Sequence, residues 1–309
     1  MGKEENAPRK FDSLSELHRV LGLPKPLHPL ISLVEVTDNN LDISSLTGPV
    51  VYNFYKISLK TRLTGRLKYG QRYYDFEEGG LLFKAPNQVA AIGQDNGDYS
   101  GFTMVIHPDY FLNYPLAKKI KQYGFFSYSV NEALHLSEKE KATIVSVFRS
   151  IQEELQSRID DFSHDVVISL VETLLTYSQR FYKRQFLTRK ATSNDLLEKL
   201  EELLADYFDG DNLLQSGLPT VKHLADQLNL SPSYLSDMLR TLTGQNAQQH
   251  IHNKLIEKAK EKITTTNLSI SEIAYELGFE HPSSFNKLFN SHVEIYFNRS
   301  FPGSSEVIF

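Results

Sequence analysis

The sequence predicts an α+β chain in two parts. The first is a β-barrel or double-sheet jelly roll with a helical layer, and the second is an all-α region. Three observations predict it. Short runs rich in β-branched and aromatic residues, punctuated by glycine, proline, asparagine and aspartate, recur between Ile31 and His107. Two long stretches, Ser137–Ser157 and Phe162–Tyr182, then take a helical period. Finally, one helix–turn–helix pattern occurs twice, about fifty residues apart.

In chain order, residues 1–10 read as a charged, disordered tail. Phe11–Leu21 reads as a short helix, with Ser13 and Glu16 at capping-box spacing and Gly22 ending it. Pro24, Pro26 and Pro29 impose an extended approach. The expected strands are Ile31–Val36, Val50–Leu59, Gly65–Tyr69, Arg72–Phe76, Gly80–Phe83, Gln88–Ile92 and Gly101–His107. Gly70, Glu77–Gly79, Pro86–Asn87 and Asp95–Gly97 supply turns. Asp109–Tyr123 reads as a helical connector interrupted by Pro115. In the helix Ser137–Ser157, Ile144, Phe148, Ile151 and Leu155 form one stripe. In Phe162–Tyr182 the stripe is Val167, Leu170, Val171, Leu174, Leu175 and Phe181. This pair either packs wholly within its domain or leaves a seam for a second subunit. Residues 184–193, RQFLTRKATS, read as a linker in the most basic run of the chain, with Arg180, Lys183, Arg184, Arg189 and Lys190. A solvated hinge and an auxiliary phosphate contact are both open there. Leu196–Phe208 is the first helix beyond it. The expected domains are 1–183 (β-rich 31–107, helical 109–183) and 194–301, with a tail at 302–309.

The repeat is clearest in its second copy, 269–290. Ser269 and Glu272 have capping-box spacing, and Ile270, Ile273, Ala274 and Leu277 follow on one apolar face. Gly278 suits a left-handed helix end, and Pro282 suits the first turn of the next helix. Phe285, Leu288 and Phe289 form a buried face, opposite Ser283, Ser284, Asn286, Lys287 and Asn290. In the first copy Val221, Leu224, Ala225 and Leu228 match the apolar positions. Asn229, Leu230 and Pro232 stand for Gly278, Phe279 and Pro282, and Leu235, Met238 and Leu239 for the buried face. Ala247–Thr264 is a connecting helix with Ile251, Leu255, Ala259 and Ile263 along one side. Two such units on a stiff connector can place two helices in successive major grooves, roughly 34 Å apart.

The run SPSYLSDML…TGQNAQQHIHNKLIEKAKEKI…NLSISEIAYELGFEHPSSFNKLF resembles the DNA-binding domain of AraC/XylS-type bacterial transcription regulators, over roughly Asp195–Phe289. The resemblance implies a variable sensing or dimerisation domain at the N-terminus, cupin-like in form. It also implies double-stranded DNA as partner, a homodimer, control by a small-molecule effector, and RNA polymerase as a further partner. The family pattern aligns Ser233, Ser236 and Asp237 with base-facing positions, and Ser283, Asn286 and Lys287 with their counterparts. Tyr234 and Arg240 are placed for the DNA backbone, and Ser284 and Asn290 complete the polar face. Asp237 departs from the family, where a basic residue is common; it could accept from cytosine N4 but repels phosphates. A second departure is the C-terminal end. Glu294 stands where a Gly-x-x-Pro turn would begin, no proline precedes Phe301, and the short helix that normally closes the domain is in question.

Composition bounds the rest. With 309 residues, 40% of them hydrophobic, the chain can build two cores. No segment is long and apolar enough to span a membrane, and MGKEENAPRK lacks the core of a secretion signal, so a cytoplasmic protein is expected. Cysteine is absent, which excludes thiolate metal sites and a cysteine nucleophile. His107 is the lone histidine of the expected barrel strands, so no His-x-His metal pair occurs there. No catalytic arrangement is visible; no cofactor and no enzyme are expected. Tyr52, Phe54, Lys60, Tyr69, Arg72, Tyr73 and Tyr74 are either core and surface residues or, for an inward subset, contacts to a polar effector. The net charge of −5 is unlike that of many nucleic-acid binders. Lys222, Arg240, Lys254, Lys258, Lys260, Lys262, Lys287 and Arg299 are balanced by eight carboxylates between Leu218 and Phe301, which predicts weak non-specific binding. The balance, Asp237 and the altered C-terminus keep open an alternative: an interaction scaffold that no longer binds DNA.

Overall fold

The computed structural model describes residues 8–37, 48–60, 63–69, 72–76, 80–92, 100–129, 132–157, 160–188, 190–209, 213 and 217–300. Side chains are not described at 48, 63–69, 72–76, 90–92, 190–193 and 292–300. The chain divides into two compact units, Met1–Arg189 and Lys190–Phe309.

The first unit mixes sheet and helix. Its strands are β1 (Arg9–Phe11), β2 (Ile31–Val36), β3 (Gly48–Tyr52), β4 (Tyr55–Lys60), β5 (Leu63–Tyr69), β6 (Arg72–Phe76), β7 (Gly80–Lys84), β8 (Val89–Ile92), β9 (Gly101–Ile106) and β10 (Leu134–His135). They form a five-stranded sheet β10-β7-β4-β9-β2, a three-stranded sheet β1-β3-β8 and a β5-β6 hairpin. Among the described residues no pairing joins the three sheets into a closed barrel.

Three local expectations are corrected. Arg9 and Lys10, expected in a disordered tail, pair with β3 through β1. The stretch Val50–Leu59 is two strands rather than one: after Tyr52 the chain turns at Asn53, whose N–H donates to Phe11 O, and β4 starts in another sheet. The first helix, α1, is shorter than expected, Leu14–Val20, and Ser13 sits at its N-cap without a side-chain bond. Its end is as read: Gly22 has φ +68°, and the Leu23 N–H donates to His18 O.

The pleat of β4 organises two cores. Tyr55, Ile57 and Leu59 share one face, which joins the aromatic cluster of Phe111 and Phe126, and on neighbouring β9 Phe102 stacks on Phe148 at 5.5 Å. Phe148 belongs to α3 (Glu138–Gln156), which starts at a complete Ser137–Glu140 capping box. The other face carries Lys56, Ser58 and Lys60, and on β9 Val105, which packs with Phe11, Leu14, Leu17, Val50, Tyr52 and Phe54. A short helix, α2 (Leu116–Lys119), begins after Pro115. The long α4 (Ser163–Thr188) then packs on α3, burying Val167, Val171, Leu174, Leu175 and Phe181. Arg184 lies in this helix rather than in a linker: its guanidinium binds Glu140 at 2.6 Å and His135 O at 2.7 Å. It thus holds α4 to the start of α3.

The second unit is all helix: α5 (Lys190–Asp209), α6 (Val221–Gln227), α7 (Pro232–Thr243), α8 (Ala247–Thr265), α9 (Ile270–Glu276) and α10 (Pro282–Ser300). α8 packs against α5, α7 and α9, and buries Ile251, Leu255 and Ala259. Among the described residues no helix is long and apolar enough to cross a membrane.

Candidate nucleic-acid interface

Each helix pair of the second unit is built by the same local chemistry. α9 begins at the capping box read from the sequence: the Glu272 N–H donates to Ser269 Oγ at 3.3 Å, and Glu272 Oε2 accepts from the Ser269 N–H at 2.8 Å. The Ser269 N–H and hydroxyl, both donating to Glu272 Oε2, hold the Glu272 carboxyl below its ordinary range. Ile273, Ala274 and Leu277 are buried, whereas Ile270, read as part of the same face, is exposed. At the helix end Gly278 has φ +82°. Its N–H donates to Tyr275 O and the Phe279 N–H to Ala274 O, both at 3.0 Å. α6 repeats the two turn bonds and has a one-way cap in place of the box. Thr220 caps it by accepting from the His223 N–H. Asn229 has φ +56°, its N–H donates to Asp226 O, and the Leu230 N–H donates to Ala225 O at 2.9 Å. Both turns therefore close as Schellman motifs. Gly278 has a second constraint: a Cβ there would lie 3.0 Å from Leu213 O.

Each turn delivers a second helix. In α10, Phe285 is fully buried against Phe279 and Phe289, at 5.4 and 5.5 Å between ring centroids. Ser283, Ser284, Asn286, Lys287 and Asn290 are all exposed on the opposite face, as their spacing predicts. In α7, Leu235, Met238 and Leu239 are buried, and Ser231 caps the helix by accepting from the Tyr234 N–H. Ser233 and Ser236 are half-buried. Tyr234 requires a correction: it is 1% exposed, among the largest fully buried side chains, and its ring is a core element rather than a surface contact to DNA. Asp237 and Arg240 form an ion pair at 2.8 Å, one turn apart. The lone aspartate thus occupies the lone arginine of α7, and the charge available to a phosphate falls on both counts.

The same pairing recurs across the unit. Lys254 pairs with Glu257, Lys258 with Asp209 and Glu261, and Lys262 with Glu276. Among the described residues, Lys222 and Lys287 make no ion pair, and both are exposed. Sequence reasoning did not single out Lys222. Spacing gave no signal for it: Asp226 stands four residues on, at ion-pair spacing, and only the structure leaves the two unpaired. The α8 N-cap was likewise missed, although Asn246 and Gln249 have capping-box spacing and make both bonds. Where a closing turn was in question, α10 simply continues: its backbone stays helical from Pro282 to Ser300, about 28 Å. With no glycine or proline at 291–300, nothing local stops it. Among the described residues no group of His, Asp or Glu is placed to hold a metal ion.

Two units of this geometry, joined by one connecting helix, define a helix-turn-helix DNA-binding domain. A family model described as "Helix-turn-helix domain" matches residues 224–299, and these residues belong to the AraC-type helix-turn-helix family. The chain is 24% identical over 245 residues to the uncharacterized HTH-type transcriptional regulator YfiF of Bacillus subtilis, covering 78% of this chain and 74% of that protein. It is 32% identical over 73 residues to the raffinose operon transcriptional regulatory protein RafR of Pediococcus pentosaceus, covering 24% and 26% of the two chains. Among solved structures, the C-terminal domain of the two-component response regulator yesN from Fusobacterium nucleatum is 28% identical. That match covers 32% of this chain and 95% of that one, with a TM-score of 0.28.

Proposed function

We propose that this DNA-binding transcription regulator acts by sequence-specific recognition through α7 and α10, and catalyses no reaction. The observation that carries the reading is the exposed row Ser283, Ser284, Asn286, Lys287 and Asn290 opposite the fully buried Phe285, behind a turn used identically in both copies. Asn286 reads adenine through its amide, and Lys287 reaches guanine or a phosphate. Ser233 and Ser236 contribute from α7, where the Asp237–Arg240 pair makes attraction to phosphate weak. The printed descriptions of the relatives, transcriptional regulators in each case, support the reading.

In this proposal residues 1–183 sense and dimerise, with a cupin-like arrangement of the sheets and a homodimer seam on α3 and α4. An effector bound there shifts the regulator between two states, which requires different affinity for each. RNA polymerase is the partner through which DNA occupancy is read. The ion pairing of α7 favours a second reading, a scaffold whose helix-turn-helix units no longer hold DNA. Fluorescence anisotropy of the full chain on its own upstream DNA and on genome-wide fragments, with scrambled competitor, separates the two. Saturable binding that resists competitor and is lost in Asn286→Ala plus Lys287→Ala is expected. Binding absent from every fragment would leave the scaffold.

A further inference from the structure

Two lysines of the first unit face each other, with no carboxylate beside them among the described residues. Lys56 of β4 and Lys84 of β7 are directly opposed partners in an antiparallel pair. Like charges so placed destabilise a sheet. Both side chains are half-buried, and burial lowers the pKa of each, with the Lys84 charge adding to the effect on Lys56. Lys56 Nζ lies 5.6 Å from the centroid of the Tyr52 ring, its one cation–π neighbour among the described residues. Neither lysine meets a carboxylate among the described residues. Elsewhere several lysines are paired: Lys119 with Glu172, Lys258 with Asp209, Lys262 with Glu276. Two residues along β4, on the same face, Ser58 Oγ lies 3.2 Å from Thr103 Oγ1 of β9. That is about 6.6 Å from the Lys56 backbone, within reach of a group held by the two ammonium ions. The patch therefore offers two cations, two hydroxyls and one aromatic wall. Such a set is costly when empty and favourable around an oxyanion.

We propose that Lys56 and Lys84, with Ser58 and Thr103, recognise the carboxylate or phosphate group of a small-molecule ligand in the N-terminal unit. This deepens the effector part of the proposed function and is independent of the DNA contacts. The test is thermal unfolding of the full-length protein, at matched ionic strength, with gluconate, citrate, glucose 6-phosphate or inorganic phosphate against chloride and glucose. At least one oxyanion at millimolar concentration should raise the midpoint by about 2 °C or more over both controls. The carboxylate and phosphate arms identify which group is taken. Lys56→Met and Lys84→Met should each abolish the shift, and Lys56→Arg should retain part of it. Without ligand, both methionine variants should melt at or above the wild type, because repulsion has been removed.

A methionine variant less stable than the wild type would overturn the proposal, since the charge would then serve the fold. So would equal shifts in wild type and variants, or no oxyanion response at all. DNA anisotropy on the same unliganded variants should match the wild type. A failed anion response therefore leaves the DNA reading standing, and failed DNA binding leaves the anion result readable.

Discussion

Single residues set what this protein can hold. Lys287 is exposed, without an ion pair among the described residues, and on the polar face of α10. Lys287→Ala should weaken DNA binding and flatten the slope of log affinity against log salt by about 1, read by anisotropy across a salt series. Gly278 is held by two constraints at once, φ +82° and a backbone oxygen 3.0 Å from any Cβ. Gly278→Ala should cost about 1–3 kcal/mol in urea unfolding, whereas Asn229→Gly at the equivalent turn should change stability by less than about 0.5 kcal/mol. Lys56 gives a pH prediction with a definite sign. Burial, with the Lys84 charge opposite, pushes its pKa down to about 8, against about 10.4 in the unfolded chain. Below pH 8 both states hold the proton and the folded state bears the full cost. Between about 8 and 10.4 the unfolded state holds more protons, so this site's contribution to stability rises with pH. Lys56→Met should therefore stabilise the protein at pH 7 and lose most of that advantage by pH 9.5, measured by urea unfolding at both. The exposed placement of Asn286 and Lys287, and the turn residues, were legible from spacing alone. Tyr234 was not: at the first turn of α7 its position fits either face, and only its neighbours decide that the ring is buried.

At the scale of elements, local rules and tertiary packing divide the work differently in the two units. The helix ends of the second unit are local: capping boxes at Ser269 and Asn246, prolines opening α7 and α10, Asn229 and Gly244 with positive φ at helix ends. All are short-range signals, and the sequence reading found most of them. Strand partners in the first unit are not local. Val50–Leu59 is one apolar run, yet its halves belong to different sheets because Phe11 and β1 capture the first. Arg184 sits in a run with linker composition, yet Glu140, 44 residues earlier, ties it into the core of the first unit. The helical continuation of α10 makes a further prediction. Glu294→Pro removes a mid-helix N–H donor and should cost about 3 kcal/mol in the C-terminal half of α10, seen as lost far-UV helicity.

For the whole molecule, charge is the governing quantity. The net charge is −5, and the second unit pairs Arg240, Lys254, Lys258 and Lys262 with its own carboxylates. If Lys222 and Lys287 are the phosphate contacts, non-specific affinity should fall only about tenfold per chain between 50 and 200 mM salt. A much steeper loss, measured on scrambled DNA, would require cations beyond these two. The sequence by itself determined the tandem helix-turn-helix, its turns, the exposed polar face of its last helix and its resemblance to AraC-type domains, because caps, turn residues and helical periodicity act within a few residues. Tertiary structure alone decided which cations are free, which sheet each strand joins, that Tyr234 is core, and that Lys56 faces Lys84. Those depend on what lies across a sheet or on a neighbouring helix, at separations where one-dimensional spacing carries no distance.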